Sequence, residues 1–216
     1  MKSNETSKEF NTRKKRAGII IRKLKQIIPD AKIVLNYSNN FELLVAVILS
    51  AQCTDKMVNK VTEKLFNKYK IIEDYLKVNQ QEFEQDIRST GFYKNKAKNI
   101  LSSAKIIKEK YNGLVPNSMD EILQLPGVAR KTANVVLGNA YGIVEGIAVD
   151  THVKRLSKKY GLTDEVDPVK IEKDLMSILP KKEWFDFTYR LIDYGRQYSP
   201  ASKVNSNEDP LSKILS

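Results

Sequence analysis

The stretch from Leu125 to Asp150, LPGVARKTANVVLGNAYGIVEGIAVD, decides the fold prediction for this 216-residue chain. A Leu-Pro-Gly-Val-Ala turn precedes a long apolar helix that carries one lysine, and an aspartate closes the segment. A turn this short leaves backbone N–H groups unpaired at the start of the next helix, where the helix dipole favours a phosphate. The sequence therefore predicts a helical hairpin over about residues 118–141 that binds an anion.

Lys131 is the candidate reactive group of this segment. It is predicted to lie one turn into a helix that is apolar nearly all the way round and therefore buried. Desolvation and a helix N-terminus both lower the pKa of a lysine, and a neutral amine forms Schiff bases. Asp150, which follows the glycine-bounded loop 142–146, is expected to face the same cleft. The hairpin alone leaves two alternatives open, namely that Lys131 only binds phosphate and that Asp150 is only a helix N-cap.

Cysteine and histidine usage excludes several classes of site. The single cysteine, Cys53, cannot form an intramolecular disulfide or a multi-cysteine metal site, and it indicates a reducing compartment. The single histidine, His152, has no neighbouring His or Cys partner, so no metal site is expected. The N-terminal residues lack the apolar core of a signal peptide, and the apolar run 43–49 is too short to span a bilayer. We expect a soluble intracellular protein without a membrane partner.

The charge balance favours a polyanionic partner. The chain has 37 basic and 26 acidic residues and a formal net charge of +11. Basic surfaces bind nucleic acids by releasing counterions from phosphates. Asn, Ile and Lys are all abundant here, however, and general lysine richness explains part of the charge.

Hydrophobic periodicity predicts an all-α fold. Apolar residues recur at helical spacing up to Pro29, which ends the first helix. An Asn112-Gly113 pair is typical of a helix C-cap, and Ser118 with Glu121 matches a capping box. No strand pattern of useful length occurs. Helices are predicted at 20–28, 41–52, 55–68, 94–111, 151–160, 167–179 and 183–198, with a shorter pair within 71–87.

Taken together, the hairpin, its lysine and the downstream VDTH sequence resemble the helix-hairpin-helix DNA glycosylases, and their endonuclease III branch in particular. Three other segments match that family in the expected order. They are FELLVAVILSAQCTD at residues 41–55, STGFYKNKAKNI at residues 89–100, and the pair Gly195-Arg196. The resemblance covers roughly residues 15–198.

The resemblance implies roles for the two candidate catalytic residues. Lys131 corresponds to the nucleophile that attacks C1′ of a damaged nucleotide, and Asp150 to the essential carboxylate. Such an enzyme removes oxidised pyrimidines from double-stranded DNA and cleaves abasic sites by β-elimination. A lysine at this position argues against the adenine-specific branch of the family. A glycosylase with another base preference and a non-catalytic helix-hairpin-helix DNA-binding protein stay as alternatives.

The resemblance also implies which residues contact DNA. Gln52 corresponds to the residue that fills the gap left by an extruded nucleotide, and Phe92 lies where the family inserts an aliphatic wedge. A core position beside a turn glycine is the alternative for Phe92. Within the hairpin, we expect DNA contacts from Leu125, Gly127, Ala129 and Arg130. Asp55, Thr151 and His152 are expected to line the base pocket, with a structural role as the alternative for His152.

Two departures from the family pattern stand out. Endonuclease III usually holds a [4Fe–4S] cluster through cysteines spaced C-x6-C-x2-C-x5-C, and the corresponding positions here are Ser199, Ser206, Asp209 and Leu215. No iron-sulfur cluster or other cofactor is therefore expected, and residues 199–216 are predicted to form a flexible tail. Ala129 replaces a frequent glycine, which fits only if its φ is not positive.

The resemblance implies two helical lobes with the active-site cleft between them. One lobe is expected to span residues 33–143, and the other to combine residues 1–32 with 144–198. We expect a monomer that acts in the cytoplasm, associated with the nucleoid. Its partner is expected to be double-stranded DNA that contains damaged bases or abasic sites.

Overall fold

The computed structural model describes residues 5–202 and 209–215, and in that part of the chain all regular structure is helical. The all-α prediction is confirmed. Two 3-10 turns, Arg88–Thr90 and Lys181–Glu183, accompany the helices. The helices are α1 Ser7–Ile27, α2 Asn40–Leu49, α3 Asp55–Lys68, α4 Ile72–Lys77, α5 Gln80–Asp86, α6 Tyr93–Tyr111, α7 Met119–Ile122, α8 Arg130–Tyr141, α9 Thr151–Lys159, α10 Pro168–Ile178, α11 Trp184–Gln197 and α12 Pro210–Leu215.

The chain divides into two compact units. The first, called here the hairpin unit, is Val34–Ile143, and the second, the terminal unit, combines Met1–Ile33 with Val144–Ser216. The sequence placed the two boundaries at 32/33 and 143/144, within one residue of this division. The terminal unit is therefore assembled from both ends of the chain.

The hairpin unit is built around α2. Its residues 43–49 are all buried, as expected for a nearly continuous apolar run that forms a helix rather than a strand. α2 packs against α3, α6 and α8. Asn39 caps its start by accepting a hydrogen bond from the N–H of Glu42 at 2.9 Å. This helix forms the base on which the hairpin and the neighbouring loops are placed.

The terminal unit packs α1, α9, α10 and α11 around one apolar core. α1 is anchored by Arg13, whose guanidinium binds Glu5 and donates to the carbonyl of Leu162 at 2.8 Å. The first turns of α1 were not predicted, because Phe10 is the only apolar side chain there and Arg13 supplies polar contacts. Fully buried core side chains include Ile20, Leu24, Val153, Leu156, Leu191 and Tyr194.

The prediction of a flexible tail is wrong for the described part of residues 199–216. Pro210–Leu215 form α12, and Leu211 is fully buried in the terminal core. The Asp209 carboxylate accepts hydrogen bonds from Lys159 Nζ at 2.6 Å and Tyr160 Oη at 2.7 Å, and from the Tyr194 hydroxyl. The composition, rich in Ser, Asn and Asp, gave little sign of this anchoring, which depends on the buried Asp209 carboxylate and on Leu211 and Leu215 packed on the terminal core.

Candidate functional site

The hairpin connects α7 to α8 through a tight turn at Gly127. Its φ of +80° is accessible to glycine, and a Cβ at this position would lie 2.8 Å from Asn99 Nδ2. The turn is also held by Ser103, whose hydroxyl donates to the carbonyl of Pro126 at 3.0 Å. Both contacts come from α6. The hairpin conformation is therefore fixed by its own glycine and by a neighbouring helix.

The N-terminus of α8 is open to a ligand. Ala129 is the N-cap residue, with φ −93° and ψ 170°, and no side chain caps the helix. Its φ is negative, so alanine fits where the family often has glycine, as the sequence required. The first helical hydrogen bond runs from Ala133 N to Ala129 O, and the N–H groups of residues 130–132 therefore precede the helical ladder.

Lys131 is the second residue of α8 and its side chain is exposed. The prediction that this lysine is desolvated one turn into a buried helix is wrong. The buried segment begins only at Ala133 and continues to Gly138. The apolar residues therefore surround the helix beyond the lysine and leave its ammonium group at the surface.

The hairpin residues expected to contact DNA differ in accessibility. Gly127 and Ala129 are exposed, and Arg130 is half-buried. Leu125 is only 2% exposed, so its side chain belongs to the core and is not available to a ligand. Its carbonyl instead accepts a hydrogen bond from Val128 N at 3.1 Å, which closes the turn.

In the terminal unit, Asp150 caps α9. Its Oδ1 accepts a hydrogen bond from Val153 N at 2.8 Å, so the N-cap role is real. Thr151 follows and is exposed, whereas His152 is half-buried. Gly195 gives the imidazole room, because a Cβ there would lie 2.5 Å from His152 Nδ1. The capping bond fixes the position of the Asp150 carboxylate at the start of a helix.

Two loops of the hairpin unit project unusual residues. Gln52 is exposed with φ 52°, in the turn after α2, and Phe92 has φ 49° before α6. Phe92 is 64% exposed, which excludes the core position considered for it. Asp55, the first residue of α3, is half-buried, and Thr54 rather than Asp55 is the N-cap of that helix.

Sequence reasoning missed Lys96, which is only 5% exposed within the basic helix α6. Its ammonium donates to the carbonyls of Leu49 and Thr90, at 2.8 and 2.7 Å. A single sequence offers no signal for such a lysine, because its neighbours Lys94 and Lys98 lie on the exposed side of the same helix.

The positions that correspond to the family's cluster ligands do not fit an iron-sulfur cluster. Ser199 and Asp209 are buried and supply a hydroxyl and a carboxylate, and Leu215 supplies an alkyl group. Ser206 lies outside the described residues. Thiolates are required to hold such a cluster. Within residues 5–202 and 209–215, no group of three His, Cys, Asp or Glu side chains is arranged to hold a metal ion.

Comparison with known proteins shows which family the chain belongs to. Residues 45–181 match the model of the HhH-GPD superfamily base excision DNA repair proteins. The chain belongs to this superfamily. The match covers α3 to α10 completely and includes the hairpin, Lys131 and Asp150.

Individual members of the superfamily are similar over most of the chain. Endonuclease III of Synechocystis sp. is 47% identical, over 96% of this chain and 94% of its own length. Endonuclease III of Bacillus subtilis is 52% identical over 88% of this chain and 86% of its own length. A solved structure of a trapped endonuclease III–DNA covalent intermediate has a TM-score of 0.89 at 46% identity, over 93% of this chain and 94% of that chain. The helix-hairpin-helix glycosylase fold is thus confirmed.

None of the helices in the described ranges, 5–202 and 209–215, combines the length and apolar character needed to cross a membrane.

Proposed function

We propose that this chain is a bifunctional DNA glycosylase and abasic-site lyase of the endonuclease III type. The observation that carries the proposal is the exposed lysine at the uncapped N-terminus of α8, directly after the Leu-Pro-Gly-Val-Ala turn, in a chain 47% and 52% identical to endonuclease III enzymes. A similar solved structure is a trapped covalent intermediate with DNA, which is the species that an amine nucleophile forms.

In this proposal Lys131 is the nucleophile. Its Nζ forms a bond to C1′ as the bond from C1′ to the damaged base breaks and the base leaves with the electron pair. Opening of the sugar ring gives an imine between Nζ and C1′. The imine acidifies the C2′ hydrogen, and loss of that proton expels the 3′ phosphate by β-elimination.

Asp150 supplies the negative charge in this reaction. By resemblance, this carboxylate stabilises the positive charge that develops on the sugar as the base departs. The capping bond from Val153 N engages Oδ1, so we assign this role to the other carboxylate oxygen, Oδ2. The capping bond thus orients the group, and the N-cap and catalytic roles are compatible.

The remaining predicted residues hold the DNA. The uncapped N-terminus of α8 and the Gly127 turn present backbone N–H groups suited to a phosphate. Gln52 and Phe92 are exposed at loop tips and are suited to fill the space left by an extruded nucleotide. By resemblance, Asp55, Thr151 and His152 line the base pocket.

We further propose that oxidised pyrimidines are the substrates and that the protein acts as a monomer on the nucleoid. The test is cleavage of duplexes that each carry one lesion, namely an oxidised pyrimidine, an oxidised purine, an adenine mispair or an abasic site. Cleavage at oxidised pyrimidines and abasic sites supports the proposal. Activity on adenine mispairs alone would contradict the substrate, and binding to abasic DNA without cleavage would favour a non-catalytic protein.

We also propose that the chain works without an iron-sulfur cluster. The donor chemistry at Ser199, Asp209 and Leu215 supports this, and the buried Asp209 already holds the C-terminal segment. Metal analysis of the protein purified from iron-replete cells is expected to find no stoichiometric iron, and cleavage is expected to persist after treatment with an iron chelator. Four irons per chain would contradict the proposal.

A further inference from the structure

A buried lysine connects the two loops that carry Gln52 and Phe92. Lys96 lies in the first turn of α6 and is 5% exposed. Its Nζ donates to the carbonyl of Leu49 at 2.8 Å and to the carbonyl of Thr90 at 2.7 Å. These contacts lie within the hairpin unit and join segments that are 41 positions apart in numbering, from 49 to 90.

Each of these carbonyls stands at the end of a helical segment. Leu49 is the last residue of α2, and Thr90 is the last residue of the 3-10 turn that precedes α6. Carbonyls in the last turn of a helix lack intrahelical partners, and they carry the negative end of the helix dipole. The Lys96 ammonium group therefore binds one carbonyl at the end of each segment. The loop that carries Gln52 starts after Leu49, and the loop that carries Phe92 starts after Thr90.

Both loops adopt a conformation that ordinary residues rarely hold. Three residues other than glycine have positive φ in the described ranges, and two of them are Gln52 at 52° and Phe92 at 49°. Such conformations persist when the surrounding structure determines them. The backbone N–H of Lys96 donates to the carbonyl of Phe92 at 3.1 Å, which is the first helical hydrogen bond of α6. The side-chain contact of Lys96 with Thr90 therefore lies directly beside the Phe92 turn.

We propose that Lys96 is a positioning residue for nucleotide extrusion, which holds the Gln52 and Phe92 loops in one fixed arrangement so that both enter the duplex together. This inference rests on the proposed function, since it assumes that these two side chains occupy the DNA stack. Lys96 touches neither the sugar nor the base, and it acts on the reaction only through the loops.

Lysine suits this position for physical reasons. A compact ammonium donates up to three hydrogen bonds, and charged donors bind carbonyl oxygens more strongly than neutral ones. Burial lowers the pKa of Lys96, which is the cost of placing the charge there. A methionine of similar length would fill the space and leave both carbonyls without a donor.

The test separates extrusion from chemistry. We would measure single-turnover cleavage at an abasic site in duplex DNA and in the same strand without its complement, where no base stack has to be parted. For Lys96→Met we expect cleavage of the duplex to slow at least tenfold and cleavage of the single strand to stay within twofold of wild type. Ile107→Val, in the same helix and fully buried, is the matched control and is expected to preserve both rates.

The outcomes distinguish this inference from the proposed function. No cleavage of either substrate by the wild-type protein would overturn the proposed function. Wild-type cleavage of both substrates, with Lys96→Met slowed equally on the two, would overturn the role of Lys96 alone. Equal slowing by Lys96→Met and Ile107→Val would likewise reduce Lys96 to an ordinary stabilising residue.

A second variant and a second readout guard against misfolding. Lys96→Gln keeps a neutral amide that can donate to one carbonyl, and Lys96→Arg keeps the charge and is expected to restore part of the duplex rate.

2-Aminopurine placed opposite the abasic site reports loop insertion as a rise in fluorescence, which we expect to be lost in Lys96→Gln. In a Phe92→Ala background the effect of Lys96→Gln is expected to shrink, since residues that act together are not additive. Full additivity would overturn the inference.

Discussion

At the scale of single residues, the hairpin depends on one glycine and one lysine. Gly127 suits the turn because its φ is positive and because Asn99 already fills the space that a Cβ would occupy. Lys131, four residues later, is exposed rather than buried. The turn is therefore shaped by close packing, whereas the reactive group is accessible to a large substrate.

We predict that Gly127→Ala weakens both stability and DNA binding. A positive φ costs an alanine about 1 kcal/mol, and the contact with Asn99 adds to it. Gly142→Ala is the matched control, since Gly142 also has a positive φ, of 67°, but no atom lies within 4 Å of its Cβ direction. Thermal unfolding and anisotropy titration with abasic duplex measure the two effects. Equal losses in both variants would show that the Asn99 contact is irrelevant.

At the scale of elements, the C-terminal segment 209–215 is held by a buried carboxylate. Burial alone would raise the pKa of Asp209, but hydrogen bonds from Lys159, Tyr194 and Tyr160 outweigh burial and hold it well below its ordinary value. Burial, and then the hydrogen bond to Asp209, raise the pKa of Tyr194. α12 is therefore attached to α9 and α11 by charge and hydrogen bonds.

We predict that Asp209→Asn destabilises the protein in a pH-dependent way. Charge-assisted hydrogen bonds contribute roughly 1.5–3 kcal/mol, so the unfolding midpoint near pH 7 is expected to fall by roughly 5 °C. The lowered pKa of Asp209 adds stability that is fully present above about pH 4 and is lost as pH falls further. The difference from wild type should therefore narrow in acid. Asp30→Asn, at an exposed site, is the control. A stability difference between Asp209→Asn and wild type that does not change with pH would contradict the stabilising role of the Asp209 charge.

The sequence allowed most helices to be predicted, since their cores follow apolar spacing. α3 was predicted at its observed bounds, α6 within one residue of its start, and the hairpin to its observed end at Tyr141. α12 and the first turns of α1 were missed because they have few apolar residues and depend partly on the polar contacts of Asp209 and Arg13. The accessibility of Lys131 and the burial of Lys96 were not predictable either, because helical position within one turn depends on where the cap falls.

For the whole molecule, the net charge of +11 is expected to attract the negatively charged phosphates of DNA. We predict that affinity for an abasic duplex falls steeply with salt, with log K decreasing by about 0.9 per phosphate contact for each unit of log salt concentration. Anisotropy titrations from low to physiological salt measure this slope. An affinity independent of salt would contradict phosphate binding by this basic chain.

Borohydride trapping shows whether Lys131 forms a Schiff base with DNA. The purified protein is incubated with a duplex that contains one abasic site, reduced with borohydride and examined for a covalent protein–DNA adduct. Lys131→Ala is the test variant, and Lys105→Ala, at an exposed site of α6, is the control. We predict an adduct with the wild-type protein and with Lys105→Ala, and none with Lys131→Ala. An undiminished adduct in Lys131→Ala, or no adduct from folded wild-type protein that binds the duplex, would contradict Schiff-base formation by Lys131.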